Sequence, residues 1–210
     1  MYRNFFKRAL DITLSLFALI VLSPFLLLFT VCGAVAMKGN PFFVQERPGK
    51  GEKVFKLIKF RTMSNAKDKD GKLLPGKERL NKYGRVIRSL SIDELPSLIN
   101  ILRGDLSIIG PRPLTVRYLA YYTEEERRRH EVRPGLTGLA QCMGRNNLSW
   151  EEKFAYDIEY VDNLSFALDV KILFKTVLSV LKREGIGQGE QQPVSLHIER
   201  ADWVKEEAVR

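Results

Sequence analysis

Asp93 and Glu94 are adjacent acids in the segment Ser91-Ile-Asp-Glu-Leu-Pro96. Taken alone, the pair is typical of a helix start, because Ser91 and Glu94 have capping-box spacing and acids are favoured in the first helical turn. The surrounding chain is strongly basic, however, with a net charge of +9. An ionised aspartate near guanidinium groups can attack phosphorus, and a second carboxylate can bind Mg²⁺ together with substrate phosphates. The sequence therefore predicts phosphate chemistry at this pair.

Basic side chains occur on both sides of the acid pair. Two unit negative charges about 4 Å apart repel by roughly 4 kcal/mol at an effective dielectric near 20, so a carboxylate that attacks a diphosphate needs cations beside it. The candidates are Lys59, Arg88, Arg112 between Pro111 and Pro113, and Arg133 and Arg145 around a Pro-Gly turn.

An uncharged apolar run from Ile12 to Met37 precedes this region. As a helix it would be about 39 Å long, which exceeds a bilayer core of about 30 Å. Ser23-Pro24 near its middle predicts a bend or break. Basic residues flank both ends, so the positive-inside rule favours both ends in the cytoplasm. The residues alone leave a spanning helix and a re-entrant helix-break-helix open.

The remaining chain predicts a helix-dominated α+β fold. Residues 42–47 and 53–61, joined by the turn signal Pro48–Gly51, predict a β-hairpin. Residues 64–79 predict a solvated loop, 106–109 a strand and 134–138 a rigid turn. Helices are predicted over 91–102, 124–130, 149–160 and 166–182. The predicted parts are an anchor (1–38), a catalytic domain (39–184), and a linker and tail of unknown role (185–210) with a short helix near Trp203.

Composition excludes several classes of protein. Cys32 and Cys142 are the two cysteines, and Cys32 falls inside the apolar run, so a disulfide framework is not expected and a reducing compartment fits. No Cys/His spacing indicates zinc. The basic charge suits an acidic partner, but no nucleic-acid motif accompanies it.

Seven ordered segments match a known family. They are Lys7-Arg8-x-x-Asp11, Ser23-Pro24, Phe43-x-Gln45-x-Arg47-x-Gly49, Phe55-x-x-x-Lys59-Phe-Arg-Thr-Met63, Leu90–Pro96, Gly104–Pro113 and Arg133–Gly138. Through them, residues 1–184 resemble the small monotopic phosphoglycosyl transferases of the bacterial sugar transferase family. The resemblance is closest to the minimal enzymes that begin glycan assembly for protein N-glycosylation with UDP-N,N'-diacetylbacillosamine.

The resemblance implies a reaction and roles for residues. Asp93 would attack the β-phosphorus of a UDP-sugar and expel UMP, and undecaprenyl phosphate would then attack the phosphosugar-Asp93 intermediate. Glu94, with Asp93, would bind Mg²⁺. Lys59 and Arg88 would bind phosphate, and the motif Pro111-Arg112-Pro113 would bind the nucleotide and its phosphates. Asp157 and Asp169 match further acids of the family site, although either could instead be a helix-surface charge.

The resemblance also implies a location and partners. Ser23-Pro24 matches the family's re-entrant break, which would place the protein on the cytoplasmic face of the bacterial inner membrane. The partners would be a UDP-sugar, undecaprenyl phosphate, membrane lipid and downstream glycosyltransferases, without nucleic acid. The sugar stays open between diacetylbacillosamine, another acetamido sugar such as N-acetylgalactosamine, and a hexose for polysaccharide synthesis.

Two alternatives come from a different class of protein. One is a non-catalytic, membrane-tethered basic binding protein, and the other is a membrane-shaping protein with a wedge helix. Both predict that Asp93→Ala leaves function intact.

Overall fold

One long helix opens the chain in the computed structural model, which describes residues 1–144, 148–181 and 194–202. A π-helical turn, Tyr2–Phe6, leads into α1, Lys7–Met37. The combined helix is long and apolar enough to cross a membrane, with a mean hydropathy of 2.6 over a window of which 6% is buried. Helical structure continues through Pro24, where the sequence predicts a bend or break. The Ser23 hydroxyl donates to the carbonyl of Ile20 over 2.8 Å, and so satisfies the acceptor that Pro24 cannot reach.

The N-terminal end of α1 is fastened to the globular part by charged side chains. Lys7 Nζ lies 2.7 Å from the carboxylate of the buried Asp169. Asp11 accepts a 3.0 Å hydrogen bond from the backbone N–H of Ile108. Arg8 donates to two carbonyls in the last turn of a later helix, over 2.6 and 3.0 Å. The basic residues that precede the apolar run therefore have specific protein partners.

The C-terminal end of α1 touches the globular part as well. The Tyr83 hydroxyl donates to the carbonyl of Phe29 over 2.8 Å, and Asn81 Nδ2 donates to the carbonyl of Ala36 over 3.1 Å. A Cβ at Gly33 would lie 2.6 Å from the Tyr83 hydroxyl, so glycine is required for this close approach. Both ends of α1 are thus attached to one globular unit.

Two small sheets support the globular part. Strands β1, Phe42–Pro48, and β2, Val54–Phe60, pair antiparallel, which confirms the predicted hairpin. Strands β3, Ser107–Ile109, and β4, Gly135–Thr137, pair in parallel, so the predicted turn at 134–138 is largely a strand. A Cβ at Gly135 would lie 2.1 Å from the backbone nitrogen of Gly110. These two backbone segments can therefore approach only because both residues are glycine.

The predicted helix 91–102 is divided into two parts. A 3₁₀ segment, Ile92–Ser97, carries the acid pair and leads into α4, Leu98–Arg103. Pro96 lacks the N–H that a regular α-helix would need at that point, so α-helical bonding begins only after it. Ser91 has φ 55° and no side-chain cap, so the predicted capping box is wrong here.

Capping boxes at Thr123 and Ser149 start two of the predicted helices. The first starts α5, Glu124–Arg127, which is followed by a 3₁₀ turn, and the second starts α7, Trp150–Asp162. The predicted loop 64–79 contains the short helix α2, Gly76–Arg79. The other described helices are α3 Lys82–Ser89, α6 Leu139–Met143, α8 Phe166–Leu181 and α9 Leu196–Glu199.

Part of the C-terminal tail belongs to the core. Leu196 of α9 is fully buried in an apolar cluster with Tyr122, Trp150 and Phe154. The indole N–H of Trp150 donates to the carbonyl of Val194 over 2.8 Å. The predicted linker 185–193 and the predicted helix near Trp203 lie outside the described residues, whereas this short helix ends at Glu199.

Candidate functional site

An open cleft with an empty volume of about 390 Å³ lies beside the acid pair. The hairpin contributes one wall, and the segments that follow β3 and begin β4 contribute the other. The lining residues that matter for chemistry are Arg47, Lys59, Glu94, Arg112 and Pro113. All of them except Arg47 were predicted as site residues from the sequence. Arg47 lies in one of the segments that match the family, but no role was predicted for it.

The acid pair is positioned by the contact of α4 with β2. Asn100 of α4 is fully buried; its side chain accepts from the backbone N–H of Ile58 over 3.0 Å and donates to the carbonyl of Lys56 over 2.8 Å. The Ser97 hydroxyl donates to the carbonyl of Ile58 over 2.8 Å. Asn100 therefore takes the place of a third strand at the edge of the hairpin, and it holds Lys59 beside the acids. Asn100 was not predicted as a site residue, although an asparagine inside the apolar stretch Leu98–Leu102 is a usable signal.

Glu94 is held by two cations. Its Oε1 lies 2.5 Å from Lys59 Nζ and 3.0 Å from Arg112 Nη2. Burial alone would raise the pKa of Glu94, but Arg112 and Lys59 outweigh it and lower the pKa to about 2. Glu94 is therefore a carboxylate at any working pH, and it draws Lys59 and Arg112 together in the cleft.

Asp93 has a different environment from its neighbour. Among the described residues, no hydrogen bond or ion pair engages its carboxylate. Burial and the negative charge of Glu94 raise the pKa of Asp93, while Lys59, Arg88 and Arg112 oppose the rise. Arg88 thus acts on Asp93 through its charge, from an exposed position at the end of α3. The result is an unengaged carboxylate of increased basicity, as a nucleophile requires.

Arg112 is itself positioned by a buried ion pair. Arg129 Nη2 donates to the backbone carbonyl of Arg112 over 2.8 Å and contacts Asp157 over 2.5 Å. Arg129 and Asp157 are both almost fully buried. Asp157 is therefore neither a helix-surface charge nor a lining residue of the cleft; it acts through Arg129 on the segment Pro111–Pro113. Arg129 was not predicted as a site residue, because it stands in a run of three arginines and has no distinguishing pattern.

Three other candidates lie elsewhere. Asp169 is buried against Lys7 and borders a second, apolar groove between α1 and α8, so it is also not a helix-surface charge. Arg133 Nε donates to the carbonyl of Gly104 over 2.8 Å and so caps the end of α4. Arg145 lies outside the described residues.

The acid pair fits a magnesium ion of the kind that bridges to substrate phosphate. Within the described ranges, no group of three or more His, Cys, Asp or Glu side chains forms a closed metal cage. Mg²⁺ at phosphate-transfer sites usually takes one or two carboxylates, with waters and substrate phosphates completing its shell. Asp93 and the Glu94 oxygen not bonded to Lys59 and Arg112 are the available ligands.

Comparisons with known proteins find one family model and several relatives. A family model described as bacterial sugar transferase matches residues 2–183. The uncharacterized sugar transferase EpsL of Bacillus subtilis is 55% identical over 183 residues, which cover 87% of this chain and 90% of that protein. The UDP-glucose:undecaprenyl-phosphate glucose-1-phosphate transferase of Caulobacter vibrioides is 37% identical over 83% of this chain and 69% of its own length.

A third relative is a longer protein. The UDP-N-acetylgalactosamine-undecaprenyl-phosphate N-acetylgalactosaminephosphotransferase of Aeromonas hydrophila is 37% identical over 185 residues. The match covers 84% of this chain but 44% of that protein.

Proposed function

The chain belongs to the bacterial sugar transferase family, and from that premise we propose that it transfers a sugar 1-phosphate from a UDP-sugar to undecaprenyl phosphate. UMP is the second product. The observation that carries the proposal is the unengaged Asp93 carboxylate beside Glu94, which holds Lys59 and Arg112 together at a basic cleft. A non-catalytic basic binding protein would not need a nucleophile in this environment.

The proposed reaction has two displacements at the same phosphorus. An Asp93 carboxylate oxygen attacks the β-phosphorus, an O–P bond forms, and the bond from this phosphorus to the bridging oxygen breaks. UMP leaves with that oxygen and its electron pair. A phosphate oxygen of undecaprenyl phosphate then attacks the same phosphorus and releases Asp93 as a carboxylate. Lys59 and Arg112 offset the repulsion between the attacking carboxylate and the diphosphate.

Mg²⁺ is the proposed cofactor, with Asp93 and Glu94 as its protein ligands. When bound, it supplies charge neutralisation at the diphosphate. Arg88 tunes the charge state of Asp93 from the end of α3. Asp157 and Arg129 keep the Pro111–Pro113 segment in place through the carbonyl of Arg112.

The donor sugar is proposed as a class. The Caulobacter relative is named for glucose and the Aeromonas relative for N-acetylgalactosamine, while the motifs resemble enzymes that use UDP-N,N'-diacetylbacillosamine. All are UDP-sugars, and the diphosphate that they share is the part that the cations of the cleft suit.

We further propose that α1 enters the membrane from the cytoplasmic face and returns to it. Its 31 residues correspond to about 46 Å of helix, yet Lys7 near one end and Ala36 near the other both contact the same globular unit. These contacts support a monotopic arrangement, because a crossing helix would carry one end away from that unit. Such a helix would bend at Pro24, because proline has no backbone N–H to donate to the preceding turn.

UMP release tests the proposed function. The purified protein in lipid nanodiscs, with Mg²⁺ and undecaprenyl phosphate, is given a panel of UDP-sugars that includes glucose, galactose, N-acetylgalactosamine and diacetylbacillosamine. At least one donor is expected to give UMP and a lipid-linked sugar diphosphate, with turnover lost on omission of undecaprenyl phosphate. A protein that binds these donors without releasing UMP from any of them belongs to the non-catalytic alternative.

A further inference from the structure

Arg47 is the one cation lining the cleft, among the described residues, that has no carboxylate within ion-pair distance. Lys59 and Arg112 are both bonded to Glu94. Within the described residues, the side chain of Arg47 makes a single hydrogen bond, from Nη2 to the neutral Oε1 of Gln45 over 2.6 Å. Its Nε is buried and has no acceptor. A buried N–H without a partner is costly, and because Arg47 lines the cleft, this donor is one that an acceptor from outside the chain can satisfy.

The hairpin register places Arg47 on the face that carries Lys59. Arg47 is paired with Phe55, and Gln45 is paired with Leu57, so each lies on the same face as its partner. Phe55, Leu57 and Lys59 are every second residue of β2 and therefore share one face of the hairpin. Lys59 is four residues beyond Phe55 along β2, which is about 13 Å of extended strand. Arg47 and Lys59 therefore extend into the cleft from opposite ends of the hairpin wall, with the acid pair at the Lys59 end.

The charge of the cleft favours an anion at Arg47. Three cations line the cleft, against the carboxylates of Glu94 and the adjacent Asp93, which leaves an excess of one positive charge. Burial and the neighbouring Arg112 lower the pKa of Arg47 to about 10, so it is still protonated near neutral pH. A desolvated guanidinium without a counter-charge binds phosphate oxygens strongly, because its planar fork offers parallel N–H donors.

We propose that Arg47, oriented by Gln45, binds the α-phosphate of the nucleotide and stabilises it as the leaving group. This inference rests on the proposed function. The reacting β-phosphorus lies at the Asp93 end, so the next anionic group toward the nucleoside is the α-phosphate. When the bond to the β-phosphorus breaks, the α-phosphate gains a negative charge, and a cation fixed there favours the products of that step.

Direct nucleotide binding tests the inference without turnover. The Kd values of UMP and uridine are measured by calorimetry for the full-length protein in nanodiscs at fixed Mg²⁺. Arg47→Gln is expected to weaken UMP binding about tenfold or more and to leave uridine binding unchanged, since a charge-assisted hydrogen bond is lost. Arg47→Lys keeps the charge without the fork and is expected to give an intermediate Kd for UMP. Thermal unfolding of each variant reports its folding.

Arg79→Gln is the matched control, because Arg79 also has a buried Nε without an acceptor but does not line the cleft. Its Kd values are expected to equal those of the unsubstituted protein. An unchanged Kd for UMP in both Arg47 variants, or an equal loss for UMP and uridine, overturns the inference. If the unsubstituted protein binds neither UMP nor the UDP-sugars, the proposed function fails instead, so the two failures are distinguishable.

Discussion

Two adjacent carboxylates in this protein have pKa values shifted in opposite directions. Burial would raise both, but Glu94 contacts Lys59 and Arg112 directly and its pKa falls to about 2. Asp93 is half-buried beside the negative charge of Glu94, and its pKa rises. Pairs of acids separated in this way commonly divide their roles. Here Glu94 organises the cations, and Asp93 keeps the more basic, more nucleophilic oxygen.

Arg88→Gln is expected to move the acidic limb of the pH–rate profile to higher pH. The reactive form of Asp93 is the carboxylate, so activity is present above its pKa and is lost as pH falls through it. Arg88 lowers that pKa, and its removal therefore raises it. The measurement is kcat/KM for UMP release as a function of pH, which reports the pKa values of the free enzyme.

Arg85→Gln is the control for this prediction, because Arg85 is an exposed arginine one turn earlier on α3 and is not among the charges that act most strongly on Asp93. Its acidic limb should coincide with that of the unsubstituted enzyme. A limb that moves equally in both variants, or to lower pH in Arg88→Gln, would contradict the assigned role of Arg88.

The charged residues that meet at the cleft were named from the sequence, but the residues that position them were not. Asp93 and Glu94 are residue types that perform phosphate chemistry, and Lys59 and Arg112 were singled out from the chain's other basic residues by the motifs that resemble the family. Arg129 is 28 residues from its partner Asp157, and no local pattern pairs them. Such partners become visible only when the fold brings them together.

At the scale of elements, the site depends on the junction between α4 and the hairpin. The hairpin was predictable because its alternation and turn residues are local. The start of α4 was misplaced because Pro96 delays it, and β4 was missed because its three residues form a strand only against the distant β3. The junction itself depends on Asn100, which bonds to the backbone of Ile58 and Lys56. These partners precede it by 42 and 44 positions in the sequence.

Asn100→Leu is expected to destabilise the protein by about 2–6 kcal/mol, because it leaves two partly buried backbone groups of β2 unpaired at roughly 1–3 kcal/mol each. UMP release should fall as well, since Lys59 and Glu94 lose their common support. Thermal unfolding in detergent gives the stability change. Asn163→Leu is the control: Asn163 is exposed and makes a single side-chain bond, to the carbonyl of Glu159 over 2.9 Å. Equal losses in the two variants would remove Asn100 from this role.

At the scale of the whole molecule, α1 and the globular part form one unit. The sequence identified the apolar run by length and its basic flanks by charge. It gave no indication that Lys7, Arg8 and Asp11 make buried contacts, because their partners lie from 93 to 162 residues away. These contacts, with those of Asn81 and Tyr83, fix how α1 lies against the globular part.

Cysteine labelling tests the proposed topology. In a background with Cys32→Ser and Cys142→Ser, single cysteines replace the exposed Asn4 and Asn40, on either side of α1. A membrane-impermeant maleimide is expected to label both in inverted vesicles and neither in spheroplasts, because both ends of α1 contact the same globular unit. Labelling of one position from outside the cell would establish a crossing helix instead.

The most direct test of the account is capture of the phosphosugar on Asp93. The protein is mixed with Mg²⁺ and a UDP-sugar that it was found to use as a donor, radiolabelled in the sugar. Undecaprenyl phosphate is left out, and the reaction is quenched rapidly. We expect one labelled adduct per active site, mapped to the peptide that contains Asp93, released by undecaprenyl phosphate and absent from Asp93→Asn. Full turnover by Asp93→Asn, or turnover by the unsubstituted enzyme with no adduct at any quench time, would contradict the account.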